Sequence, residues 1–358
     1  MTLIAVIART SPWLFVLGLG AALLAAGCGW VPPRLAADAI ALAPPANVEP
    51  ALAARILALD PDRISAQDVK DVLVRGPSPR IMLLHGGIYP VHLGMTSFGH
   101  FLVAMGYPEA KIRGPRSGDW SHSPYEDAER LAGIAAWYYE HDRMPPMLIG
   151  HSQGGMQAIK VLHVLAGNYG AEVHVWNPLT DLALDRTTIR DPATGRPRAV
   201  VGLSLDYVSV IAAGGAAFLL PNQWTLLDKL HTIPDTVDDF TGYTIAVDLW
   251  AWTLPGADLR YKASGTRARV RNVGLPATIN HVLAPVSADF ADDPAARAWI
   301  DAYRPDSPPA PLPPGAGDNL LWAADVWWSV KKHWALEAQA WVRAGGATVR
   351  SAGAGTVE

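Results

Sequence analysis

The stretch Met147-Leu148-Ile149-Gly150-His151-Ser152-Gln153-Gly154-Gly155 decides the fold. Its three bulky apolar residues form a short unbroken run, as a strand buried on both faces does. Pro145-Pro146 stands before the run and stops any helix from continuing into it. Gly150-His151-Ser152-Gln153-Gly154 then fits G-x-S-x-G, a sharp strand-to-helix turn that lifts one serine above the end of a sheet. The two outer positions need glycine because side chains there would meet neighbouring backbone. Residues 156–165 predict the helix that such a turn opens into. Five residues alone are a short pattern, and the strand before and helix after give it weight.

Working outward, 80–84 (RIMLL) is a second compact apolar run, and it breaks at His85-Gly86-Gly87. Residues 97–105 predict a helix. Ser123-Pro124 reads as an N-cap with proline at the first helical position, followed by Leu131, Ile134, Ala135 and Tyr138 on one face. Residues 173–176 predict a third strand. The alternation lapses over about 178–240, which holds an apolar segment at 200–220 with Gly214-Gly215 inside it. A helical insertion at about 180–240 is expected there, with Trp224 lining a pocket or the segment simply forming core. Strand patterns return at 243–247 and 268–273. Strands alternating with helices predict an α/β protein with a mostly parallel sheet and helices on both faces.

GHSQGG at 150–155 resembles the turn of bacterial lipases, and the chain resembles the α/β-hydrolase superfamily in its lipase and esterase branch. The resemblance runs loosely from about 80 to about 285. It implies an α/β-hydrolase fold with a lid insertion and cleavage of carboxylic esters through a Ser-His-Asp triad, with no cofactor. Ser152 is the implied nucleophile. His85-Gly86-Gly87 stands where the family donates a backbone N–H to the oxyanion, so the implied donors are Gly87 and Gln153, with Ile88 the alternative to Gly87; His85 itself reads as structural. The family order is serine, acid, histidine. His281 follows the last strand pattern, whereas His231 falls in the presumed insertion and His333 in a later helix. Asp248, closing the 243–247 pattern, is the leading acid. Asp258, Asp206 and Asp181 are the alternatives, and Asp238 and Asp239 stand at the wrong end of that strand. The same parts would serve acyl transfer or thioester and amide cleavage, and a non-catalytic envelope binding protein could keep the fold.

The first thirty residues read as an address. Arg9 precedes an apolar run at 13–26, too short to span a bilayer comfortably but suited to a secretory signal. The run ends Leu24-Ala25-Ala26-Gly27-Cys28, which resembles the lipobox of bacterial lipoproteins. Residues 1–27 are therefore expected to be cleaved and Cys28 acylated, anchoring the protein by lipid in the bacterial envelope. Gly29 in place of Asp points to the outer membrane, periplasmic side. Residues 28–50 are an Ala/Pro-rich tether. The hydrolase domain is expected over 51–304, a Pro-rich linker over 305–318, and a Trp-rich helix and tail over 319–358. In that helix Leu320, Ala324, Trp327, Lys331, Trp334, Ala338 and Trp341 share a stripe that either packs on the domain or meets a membrane surface.

Composition excludes much else. Lys plus Arg number 29 against 33 acidic residues, so the chain has no electrostatic footprint for nucleic acid. Cys28 is the single cysteine, which rules out an internal disulfide and a cysteine-based zinc cluster. His141-Asp142 and His163 lack partners at metal spacing, and no dinucleotide or P-loop glycine pattern occurs.

Overall fold

A computed structural model of the chain describes residues 48–253 and 259–353, with side chains as far as 345. The signal, Cys28, most of the tether and the alternative acid Asp258 lie outside the described residues. No described helix is long and apolar enough to cross a membrane.

The core is a five-stranded, wholly parallel sheet whose spatial order follows chain order. Its strands are β1 (Ile81–Leu84), β2 (Met147–His151), β3 (Leu205–Ile211), β4 (Val237–Ile245) and β5 (Arg269–Leu275). Alternation within each strand divides the side chains between two cores. Ile81, Leu83, Met147, Ile149, Tyr207, Ile211 and Tyr243 face one side, and Met82, Leu84, Leu148, Val208, Val210 and Phe240 the other. Helices Tyr89–Ala104 (α3) and Asn319–Gly353 (α8) cover the first face; Ala128–Asp142 (α4) and Gln153–Leu165 (α5) cover the second. The protein is therefore an α/β protein with helices on both faces. Pro50–Leu57 (α1) and Ala66–Asp71 (α2) precede the sheet, and Ala288–Asp292 (α6) and Pro294–Ala302 (α7) follow it. Ser65 and Asp68 form the reciprocal capping box their spacing predicts at α2.

Three expectations need correction. The third strand of the sheet is β3, within the stretch expected to be a helical insertion, and not 173–176. Trp176–Asn177 pairs antiparallel with Leu182–Ala183, apart from the main sheet, because Val173 and Val175 are buried in the core beside α4. The expected insertion at 180–240 contains no α-helix. It holds the antiparallel pair Thr188–Arg190 and Pro197–Ala199, then β3, then the 3-10 turns Gly215–Leu219 and Pro221–Leu226. Finally, α4 opens at Ala128, with Asp127 at its N-cap position, rather than after Ser123, although the Glu126 carboxylate accepts from the Ser123 N–H.

The tryptophan stripe of α8 is consumed by the fold. Leu320, Trp327, Lys331, Trp334 and Ala338 are buried, the tilted ring of Trp322 lies 4.5 Å from that of Phe98, and Trp334 lies 4.7 Å from Tyr107. Lys331 Nζ donates to the Ile64 carbonyl at 2.9 Å. None of these groups is available to a membrane surface. Buried Asp325 accepts from Tyr243 at 2.5 Å, Tyr303 at 2.7 Å and Arg271 at 2.7 Å, joining α8 to β4, β5 and the end of α7.

A second polar link sits at the amino-terminal edge of the sheet. His333 pairs with Asp206 at 2.9 Å and Asp239 at 3.1 Å. Burial alone would lower its pKa, but the two carboxylates outweigh it and raise it to about 9. A histidine whose folded pKa exceeds its unfolded value adds stability below about pH 6.5 and loses it as pH rises through 9. Neighbouring Glu337, pushed up to about 9 by burial, acts in the same direction. The urea midpoint is therefore expected to fall between pH 7 and 9.5, each of the two groups losing at most about 1.4 kcal/mol of stability per pH unit up to pH 9. His333→Gln should be less stable at pH 7 and show a shallower alkaline fall. A flat midpoint across this window in the parent protein would refute the linkage.

Candidate active site

All five strands point the same way, so the loops at their carboxyl ends converge on one edge, where open parallel sheets hold their sites. β2 delivers Ser152 there. Ser152 has φ 56° and ψ −124°, a backbone conformation a non-glycine residue holds only when its surroundings enforce it. Here the enforcement is visible. The Ser152 N–H donates to the Ile211 carbonyl at the end of β3, at 2.9 Å, and the Ser152 carbonyl accepts from Gly155 at 2.9 Å as α5 begins. A Cβ on Gly150 would lie 2.5 Å from the Gly154 carbonyl oxygen, and one on Gly154 would strike the carbonyls of Leu84 and His85. The glycines are required for the steric reason that the pentapeptide suggested.

Ser152, His281 and Asp248, named from three distant stretches of sequence, meet. His281 Nε2 lies 2.9 Å from Ser152 Oγ, and His281 Nδ1 lies 2.6 Å from Asp248 Oδ2. A carboxylate only accepts, so Nδ1 carries the proton and Nε2 is left to accept from the hydroxyl. Both His281 and Asp248 are buried. Asp248 is locked by its own turn: its Oδ1 accepts from the N–H groups of Trp250 at 2.9 Å and Ala251 at 3.1 Å, and its backbone pairs with Thr253. The Trp250 ring stands 6.3 Å from the His281 ring and that of His151 5.0 Å from it. Burial, then the His281 charge, holds His151 far below its ordinary pKa.

The loop after β1 passes against the serine. A Cβ on Gly86 would lie 2.9 Å from Ser152 Cβ and 3.3 Å from its Oγ, so only glycine allows this approach. Among the described residues no group accepts a hydrogen bond from the N–H of Gly87 or of Gln153. Buried Gln153 lays its side-chain oxygen against Gly87.

The rejected alternatives lie elsewhere. His333 and Asp206 pair with each other at the opposite edge, and Asp239 pairs with His333 and Arg269. Asp238 pairs with Arg267, Asp181 with Arg116 and Arg130, and the His231 ring lies tilted 5.3 Å from that of Tyr261. Sequence reading missed Tyr125, whose hydroxyl donates to the Gly87 carbonyl at 3.1 Å, and Trp250 beside His281. Both are contacts across the chain with no local pattern to announce them. No group of three or more His, Cys, Asp or Glu side chains that could hold a metal ion occurs among the described residues.

No family model matches the chain, and neither does any curated protein. Among solved structures it is similar to one described as "RedJ with PEG molecule bound in the active site", at 17% identity over 63% of this chain and 90% of that one. The TM-score is 0.28, a likeness too slight to carry an argument about the site.

Proposed function

We propose that this protein is a serine hydrolase of the α/β-hydrolase type that cleaves carboxylic esters. The observation that carries the proposal is the continuous chain Asp248–His281–Ser152, at 2.6 and 2.9 Å, set on a strained turn. Ser152 Oγ attacks the ester carbonyl while His281 Nε2 takes its proton. The negative oxygen of the tetrahedral intermediate is received by the N–H groups of Gly87 and Gln153. The intermediate collapses, the C–O bond to the alcohol breaks, and the imidazolium returns its proton to the departing alkoxide. Water then attacks the acyl-serine, giving its proton to His281, and the acid leaves as the proton returns to Oγ. Asp248 keeps the proton on Nδ1 and stabilises the imidazolium.

The acyl or alcohol part of the substrate is apolar. Leu249, 73% exposed, and Trp252 flank Asp248; Leu219, Trp224 and Leu227 follow β3; Leu283 follows His281, and all stand open to solvent. Phe218 and Trp252 bring two of these loops together at 6.2 Å between ring centroids. An exposed apolar rim of this kind favours an ester with a hydrocarbon chain over a small polar one.

A fluorophosphonate probe tests the proposal. It should label the parent protein once, at Ser152, and leave Ser152→Ala unlabelled; a parent protein that resists the probe is not a serine hydrolase. We also propose that Cys28 is acylated and anchors the protein in the bacterial envelope, on the small residues that precede the single cysteine. Cys28→Ser is then expected to leave the membrane fraction or keep its signal uncleaved. Unchanged fractionation and processing would end that proposal.

A further inference from the structure

The oxyanion loop is held from behind by a side chain that the hydrolytic steps do not use. His85 Nδ1 lies 2.7 Å from the Gly86 carbonyl oxygen. A carbonyl only accepts, so Nδ1 is protonated and donates. The Gly86 carbonyl and the Gly87 N–H are the two ends of one planar trans peptide, and they point in opposite directions. Whatever fixes the oxygen therefore fixes the direction of the N–H. We propose that His85 is a positioning residue for ester cleavage: its ring clamps the Gly86 carbonyl and thereby aims the Gly87 N–H at the oxyanion formed on Ser152.

This inference rests on the hydrolase reading and deepens it. Glycine at 86 and 87 makes the clamp necessary. Gly86 is needed for the loop to approach Ser152 so closely, yet two successive glycines leave the peptide between them free to rotate. An N–H without an internal acceptor does nothing to prevent that rotation. A preorganised donor is effective because its direction is set before charge develops. His85 supplies direction rather than charge, since burial pushes its pKa down to about 4 and the ring is neutral at ordinary pH. Tyr125 does the same for the following peptide: its hydroxyl holds the Gly87 carbonyl at 3.1 Å and so fixes the Ile88 N–H. The two clamps act on different planes, and among the described residues His85 is the group that bonds the carbonyl of the peptide carrying the Gly87 N–H.

The test compares a p-nitrophenyl ester with its thiono analogue, in which C=S replaces C=O. Sulfur is a weak hydrogen-bond acceptor, so the ratio of oxo to thiono turnover reports the oxyanion donors rather than the triad. His85→Phe keeps the ring and removes the donor. It is expected to lower kcat on the oxo ester by about 10- to 100-fold, part of the 10²–10³-fold cost of losing a whole donor. KM should stay within about twofold, thiono turnover should change by less than about threefold, and the oxo-to-thiono ratio should collapse. His85→Asn, whose amide nitrogen can stand near the position of Nδ1, should recover most of the loss. If His85→Phe does not fold, His85→Ala carries the same comparison against His85→Asn. An equal fall on both substrates, or an unchanged kcat, overturns the role of His85. Ser152→Ala separates the two levels: turnover within about tenfold of the parent in that variant sinks the hydrolase reading itself, whereas a crippled Ser152→Ala beside an unaltered ratio in the His85 variants sinks only this inference.

Discussion

Ser152→Ala is expected to lower ester turnover by about 10⁵-fold or more while leaving the fold intact. His281 Nε2 has no other hydroxyl to activate, for the one hydrogen-bond partner described for it is Ser152 Oγ. Removing that oxygen leaves the oxyanion donors in place but gives them no tetrahedral centre formed by the enzyme. What remains is hydrolysis by water near the donors, which in well-studied serine hydrolases still exceeds the uncatalysed rate by about 10³–10⁴. Alanine is sterically tolerated because it keeps the Cβ that already sits beside Gly86. The strained dihedrals come from backbone bonds to Ile211 and Gly155, which the substitution does not touch. The measurement is kcat on a chromogenic ester alongside a thermal midpoint. Turnover within about tenfold of the parent would show that another group performs the attack.

Asp248→Asn is expected to cost about 10⁴-fold in kcat, and the geometry says why so small a change should matter so much. Oδ1 accepts two backbone N–H groups, from Trp250 and Ala251, which only an oxygen can do. Asparagine must therefore keep its oxygen there and turn its amide nitrogen, a donor, toward His281 Nδ1. The ring answers by moving its proton to Nε2, the nitrogen that faces Ser152. It can then no longer accept the serine proton. Asp258→Asn, by contrast, should alter turnover by less than about fivefold, because Nδ1 already has a carboxylate at 2.6 Å. Cooperative unfolding of Asp248→Asn must be checked first, since the carboxylate also holds its own turn. If Asp258→Asn proves the more damaging, the acid is Asp258 and the turn after β4 rearranges during turnover.

How far the sequence disclosed this arrangement depends on where each residue finds its partner. β1 and β2 were legible because both faces of each are buried, and an unbroken apolar run says so. β3 was not, because Asp206 and Ser209 interrupt its pattern. Both are buried, and Asp206 is tolerated only because His333 arrives from α8, which no local window contains. Val173 and Val175 misled in the opposite sense, being apolar through burial beside α4 rather than through strand pairing. Ser152, Asp248 and His281 could be named because the resemblance supplied the order serine, acid, histidine and each follows a strand, whose parallel neighbours deliver their ends to one edge. Tyr125 and Trp250 could not, since nothing in their own neighbourhoods requires the contacts they make.

The place of α8 in the fold has a bearing on how the chain comes into being. Synthesis runs from the amino terminus, so every strand and both halves of the candidate site exist before the helix that covers one face of the sheet. Until residues 322–334 have emerged, Phe98 has no Trp322 and Tyr107 no Trp334 to pack against, and Tyr243, Tyr303 and Arg271 have no Asp325. An open parallel sheet with a naked apolar face is an aggregation-prone intermediate rather than a smaller native protein. A stop codon just ahead of residue 319 would thus remove no residue of the candidate site and still yield no working protein. Helix α8 acts as a closing step for the sheet face it covers, and the strands stay uncommitted until it has been made.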